Sequence, residues 1–229
     1  MKTEGLEAFD YEVIRSDRKT LSIEVHHQKV KVRAPKKAPE DWIESFVHQK
    51  ARWIARKLVE QDEKHQTRIK LENGQLISFM GSPLILNISQ GANKILLAEQ
   101  ELSIRNKDLK ADSIAKQIDR WLLTRAKEIL PQRVEHWADI MGLSKKLTGV
   151  RFRKTKTQWG HCTRAGTVQL NQLILLTPLH VIDYLIIHEL SHLKHLNHSK
   201  RFWNLVEQHC PDYQKAELWL KKHGHSVWY

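Results

Sequence analysis

Ile187-His188-Glu189-Leu190-Ser191-His192-Leu193-Lys194-His195-Leu196-Asn197-His198 is the stretch that decides the reading of this chain. Its apolar lead-in, Val181-Ile182-Asp183-Tyr184-Leu185-Ile186-Ile187, predicts a helix from about Pro178. On a helix His188 and His192 stand one turn apart on the same face. Two imidazoles so placed can hold one zinc ion, and Glu189 projects beside them, within reach of a metal-bound water. Leu185, Ile186, Leu190 and Leu193 give the helix an apolar surface, which turns the histidines toward an interior cleft.

For a third ligand, His195 and His198 compete. His195 lies about 10.5 Å along the axis from His188, at 1.5 Å per residue. One ion spanning that distance would need its outer ligands nearly opposed, far from a tetrahedron. His198 fits if the helix ends after His192 and the chain turns back. Asn197 suits such a turn because asparagine tolerates the left-handed conformation. Ser199 can then cap a second helix through Phe202, Trp203 and Val206. Glu207 and Asp212 are weaker third candidates. Three protein ligands leave the fourth position open for water, the mark of a catalytic zinc site.

Upstream, Val150-Arg-Phe-Arg and Thr167-Val-Gln-Leu read as strands of a hairpin around Trp159-Gly160-His161-Cys162. The run Leu190-Ser-His-Leu-Lys-His-Leu-Asn-His-Ser-Lys-Arg-Phe-Trp203, together with Gln158-Trp-Gly-His-Cys-Thr163 and Asn171, resembles the YgjP-like branch of the SprT-type zinc metallopeptidases. Ile14-Arg-Ser-Asp-Arg-Lys-Thr-Leu-Ser-Ile-Glu-Val25, Val30-Lys-Val-Arg-Ala-Pro35 and Ala51-Arg-Trp-Ile-Ala-Arg-Lys-Leu58 resemble the opening region of the same family. The resemblance implies a zincin-like catalytic unit, a Zn2+ cofactor held by His188, His192 and His198, and Glu189 as catalytic base. Two positions depart from the related patterns. His161 stands where a small residue is usual, and His195 takes the place of the glycine that metzincins put between their second and third histidines.

The chain has 229 residues, enough for one large domain or two small ones. Periodicity predicts a β-rich region with one helix over 1–107 and a helical, zincin-like catalytic region over 108–229, able to form one compact domain. In the first, residues 11–35 predict a hairpin turning at His27-Gln28-Lys29, followed by a helix opened by Pro39. Residues 68–105 predict a small antiparallel sheet broken at Asn73-Gly74, Gly81-Ser82-Pro83 and Gly91-Ala-Asn93. A long helix is expected from Asp108 to about Met141, interrupted near Pro131 and ended by Gly142. The fold class is α+β, with small antiparallel sheets packed against helices.

Only Cys162 and Cys210 are present, so no disulfide framework is implied and a reducing cytoplasm is the expected compartment. No apolar run approaches the roughly 18 residues needed to span a bilayer, and Met1 to Asp10 has acidic residues in place of a signal-peptide core. No membrane partner is expected.

The formal net charge is +12, which favours anionic partners. The cations gather at Arg151 to Lys156, at Arg52, Arg56 and Lys57, and at Lys194, Lys200 and Arg201. Around a cleft, the last group would form a cationic rim. His161, His195, Tyr184 and Arg201 are the candidates for substrate or transition-state contacts.

Three functions fit these residues: a zinc peptidase acting on peptide or protein; a nucleoside triphosphate (UTP-type) pyrophosphatase using the same metal site; and a nucleic-acid-associated SprT-type protease or binding module. No phosphate-cradling glycine loop and no recognisable nucleic-acid-binding motif accompany the charge.

Overall fold

The structure, a computed structural model, describes residues 9–26 and 28–229. Residues 1–8 and His27 lie outside the described residues. They hold most of the segment read as lacking a signal-peptide core and the first residue of the expected hairpin turn. The chain divides into two compact units, one ending at Thr67 and the other running from Arg68 to Tyr229. The division therefore precedes residues 76–106, which periodicity had grouped with the N-terminal region. Their inward residues Ile77, Leu84, Leu86, Leu102 and Ile104 share a core with the long helix that follows them.

In the first unit, β1 (Tyr11–Ser16), β2 (Ser22–His26) and β3 (Lys29–Pro35) form a sheet of order β1-β3-β2. β2 and β3 pair antiparallel, as the hairpin reading requires, and β1 joins β3 in parallel. β3 alternates lysine or arginine with Val30, Val32 and Ala34, so one face is buried and the other charged. α1 (Glu40–Gln66) follows Pro39 and packs Ile43, Val47, Ala51 and Ile54 into the same core. Glu40 and Asp41 in its first turn and Lys64 and His65 in its last complement the helix dipole.

The second unit opens with β4 (Leu76–Phe79), β5 (Ser82–Gln90), β6 (Lys94–Leu97) and β7 (Glu101–Asn106), in sheet order β4-β5-β7-β6. β4 and β5 meet at a two-residue turn in which Met80 and Gly81 both have positive φ, the geometry that matches strand twist in tight hairpins. β5 and β7 run parallel, because β6 lies outside them on the far edge of β7.

α2 (Ala111–Ile140) then runs unbroken through Pro131. The expected interruption does not occur: Leu130 and Val134, on either side of the proline, are fully buried, and their packing offsets the lost backbone bond. The buried stripe Ile114, Ile118, Leu122, Ala126, Leu130, Val134 and Ala138 advances four residues at a time. Each step overshoots the helical repeat by about 40°. The stripe therefore winds round the helix, which touches β7 near its start and, further on, the elements that follow it in the chain. Gly142 ends it at φ +65°, with Gly142 N donating to Asp139 O and Leu143 N to Ala138 O, the paired bonds of a Schellman cap.

The remaining elements are β8 (Gly149–Arg153), β9 (Gly160–Cys162), β10 (Thr167–Asn171), α3 (Leu179–Ser191), α4 (Lys200–His209) and α5 (Tyr213–His223). Here the expected hairpin is corrected. β8 and β10 pair in parallel, and the intervening segment contributes β9 as the antiparallel partner on the other side of β10. The α+β class is as the sequence indicates, but each sheet is mixed, with one parallel pairing, where antiparallel sheets were expected.

Candidate metal centre

α3 is buried on almost every side, with Val181, Ile182, Ile186, Ile187 and Leu190 at or near zero exposure. Asp183 ties it to α2: Arg133 Nε and Nη2 donate to the two carboxylate oxygens at 2.5 and 2.6 Å, and Trp137 Nε1 donates to Oδ1 at 2.9 Å. This fork holds in place the helix that carries His188 and Glu189. The helix stops at Ser191, and tight turns bring Leu193, Lys194 and His195 back over its end. Asn197 does not take the left-handed conformation expected of it; among the described residues the positive-φ non-glycine ones are Gln28, Met80 and Leu109. Ser199 is the N-cap residue of α4, though without a side-chain capping bond.

The turn delivers His198 to the other two histidines. Among the described residues, His188, His192 and His198 form one trio whose ligand atoms all lie within 4.8 Å of one another. Nε2 of His198 is 3.1 Å from Nε2 of His188. Two nitrogens on one tetrahedral zinc at 2.0–2.1 Å would stand about 3.3 Å apart, so this spacing fits a shared ion. Phe202, from the first turn of α4, is the floor of the trio. Its ring centre is 4.9, 4.5 and 4.7 Å from those of His188, His192 and His198, and the residue is fully buried. Phe202→Ala is expected to cost about 3–5 kcal/mol of stability and to weaken zinc binding. A denaturant melt and a chelator competition read the two effects, and an unchanged melt would contradict the packing role.

Protonation states also suit a metal. His192 Nδ1 is 3.0 Å from the backbone carbonyl of His195, which can only accept. The proton therefore sits on Nδ1 and leaves the Nε2 lone pair free. Tyr184 donates its single hydroxyl proton to Glu217 Oε1 at 3.1 Å, so the 3.4 Å contact between its oxygen and His188 is made by a proton on Nδ1. Burial, reinforced by His192 and His198, pushes His188 down to about 3, so its ring is neutral at ordinary pH.

Glu189 points from α3 toward β9. It is 5% exposed, and burial alone pushes its carboxyl up to about 8. The reason it fits is Gly160. A Cβ at that position would fall 2.6 Å from Cγ and Cδ of Glu189 and collide with Oε1. Only a residue without a side chain lets the strand pass over the carboxyl group. Asn171, 1% exposed, fixes the approach: its Nδ2 donates to Thr155 O and Oγ1 at 3.0 Å and to Gln158 O at 3.2 Å, holding the loop that leads into Trp159 and Gly160.

β9 is an edge strand of its sheet, β8 being the other. Trp159 O accepts from Asn171 N and Thr163 N donates to Thr167 O, so the backbone groups of Gly160 and Cys162 turn to the open side. An extended peptide cannot pair on Val168–Leu170, because β10 is the central strand, bonded to β8 and β9 on its two sides.

The other expected residues are distributed around this centre. His161 is exposed on β9; His192 is held below the usual imidazole range by burial first, with smaller contributions from His198 and His161. His195 is outside the trio and contributes its carbonyl to His192. Glu207 and Asp212 are also outside it. Tyr184 is buried, with its hydroxyl on the Nδ1 side of His188, away from the converging Nε2 atoms. Arg201, Lys194 and Lys200 are exposed and line an open depression of about 570 Å³ next to His198, with no ion pair among the described residues. The Cys162 thiol is half-buried and pushed up to about 11 by burial and then by Glu189, which leaves it a protonated packing group. Glu217 carried no signal in the sequence. Gly160 and Phe202 did stand in the quoted motifs, but their contacts arise only in three dimensions.

Among curated proteins nothing matches. Among solved structures, the metallopeptidase zymogen of Pyrococcus abyssi abylysin is 28% identical over 43% of this chain and 98% of its own, with a TM-score of 0.38. That of Methanocaldococcus jannaschii jannalysin is 19% identical over 39% of this chain and 90% of its own, with a TM-score of 0.35. The family profile described as YgjP-like, metallopeptidase domain, matches residues 19–223, nearly the whole chain, and the protein belongs to that family.

Proposed function

We propose that the protein is a zinc-dependent peptidase in which His188, His192 and His198 hold the ion and Glu189 is the general base. The observation that carries the reading is the convergence of three imidazoles beside a buried carboxyl group, under a strand with an open edge. Zinc, when bound, supplies Lewis acidity that polarises a carbonyl oxygen and acidifies a water. Glu189, held by Gly160 on one side, would accept a proton from the attacking water and hand it to the leaving amine. Gly160 and Cys162 offer backbone donors and acceptors to an extended peptide, which would add as a further strand to β9. Buried Phe202 and the surrounding apolar residues keep the floor of the site dry.

The nucleotide reading draws on the unpaired cations near His198 and has no other support; the nucleic-acid reading draws on net charge. The test is to give zinc-loaded protein an unfolded protein substrate and, separately, UTP. Peptide-bond cleavage without pyrophosphate release is the expected result. Pyrophosphate release without cleavage would overturn the peptidase reading. No helix among the described residues is long and apolar enough to cross a membrane.

A further inference from the structure

His188 and His192 are oriented by different means. His192 rests on the carbonyl of His195, three residues away on the same turn. Among the described residues, His188 has no such backbone partner. Its Nδ1 meets the hydroxyl of Tyr184, one helical turn earlier, and that hydroxyl donates to a carboxylate oxygen of Glu217 on α5. We propose that Tyr184 and Glu217 are positioning residues for the metal site: a hydrogen-bonded chain from Glu217 through Tyr184 fixes the tautomer and ring angle of His188, so that zinc affinity depends on a residue that never touches the ion. This inference rests on the metal-site reading above.

Three features favour it. A proton on Nδ1 is what leaves Nε2 free for a metal, and a carboxylate at the far end of the chain makes the imidazole a better donor. The relay is packed against sideways motion. Tyr184 stacks on Tyr213, which stacks on Trp203, and Trp203 lies within 6 Å, ring centre to ring centre, of both His188 and His198. Glu217 itself is exposed. A carboxylate held on the surface contributes little to stability through one hydrogen bond, so its placement opposite Tyr184 is better explained by the ring it orients. α5 thereby becomes part of the metal site, although it supplies no ligand.

The test is zinc affinity, measured by chelator competition on the full chain, for the native protein, Tyr184→Phe, Glu217→Ala, Glu217→Gln and the Tyr184→Phe/Glu217→Ala double variant. Each of Tyr184→Phe and Glu217→Ala should weaken binding by about 10–100-fold, and the double variant should be no weaker than the worse single one. Glu217→Gln, whose amide oxygen still accepts from Tyr184, should recover part of the loss. The thermal midpoint of metal-free Glu217→Ala should match that of the native protein, which separates orientation from folding. Unchanged affinity in the single variants overturns the relay. So do losses that multiply in the double variant, because the two residues would then act separately. A native protein that binds no zinc overturns the metal centre itself.

Discussion

Replacing Glu189 with glutamine is expected to lower hydrolysis by about 10²–10⁴-fold, the range a positioned general base contributes, while leaving zinc bound. Glutamine keeps the shape that fits under Gly160 and has no basic oxygen for a proton. The same substitution should stabilise the metal-free protein, and the sign follows from burial. In the folded, chelated protein the carboxyl is held up at about 8, whereas in the unfolded chain it has its ordinary value of 4.5. The folded state favours the neutral form, so stability is lost as pH rises from 4.5 toward 8. Glu189→Gln removes that dependence. Its advantage should be small at pH 4.5 and grow to on the order of 3–5 kcal/mol by pH 8. Denaturant melts of both chelated proteins across this range measure it, and a gap that does not widen with pH would contradict the burial of the carboxyl group.

Gly160→Ala should inactivate the site by a different route. The added methyl group collides with Glu189, and neither neighbour can move freely: the carboxyl is on a buried helix and the strand is anchored by the Asn171 bonds. Activity should fall at least as far as in Glu189→Gln, because the base is displaced as the strand shifts. Stability should drop by about 1–3 kcal/mol, the usual cost of overpacking. The atoms nearest the added methyl group all belong to Glu189 and none to a histidine, so zinc content should be retained. Native activity in this variant would show that the approach of Gly160 to Glu189 is not needed for hydrolysis.

The parts of this arrangement that the sequence reveals are those set by local spacing. His188, Glu189 and His192 could be placed because five residues of helix dictate which side chains share a face. His198 was harder. Spacing alone left His195 in competition, and the choice depended on a turn that Asn197 was expected to make and that the chain makes by other means. Strand segments were legible from their alternation, but not their partners. Val150–Arg153 and Thr167–Leu170 look the same whether they pair parallel or antiparallel, and the third strand between them decides which. Pro131 misled because its local penalty is outweighed by the burial of Leu130 and Val134. The contacts of Glu189 with Gly160 and of Tyr184 with Glu217 join residues 29 and 33 positions apart, where no local pattern operates.

The central claim is that His188, His192 and His198, and not His195, hold one zinc ion. Metal content of the purified protein and of two single variants tests it most directly. The native protein and His195→Ala should each carry one zinc per chain after loading and desalting, and His198→Ala should lose it. Retention of zinc by His198→Ala together with its loss from His195→Ala would contradict the site described here.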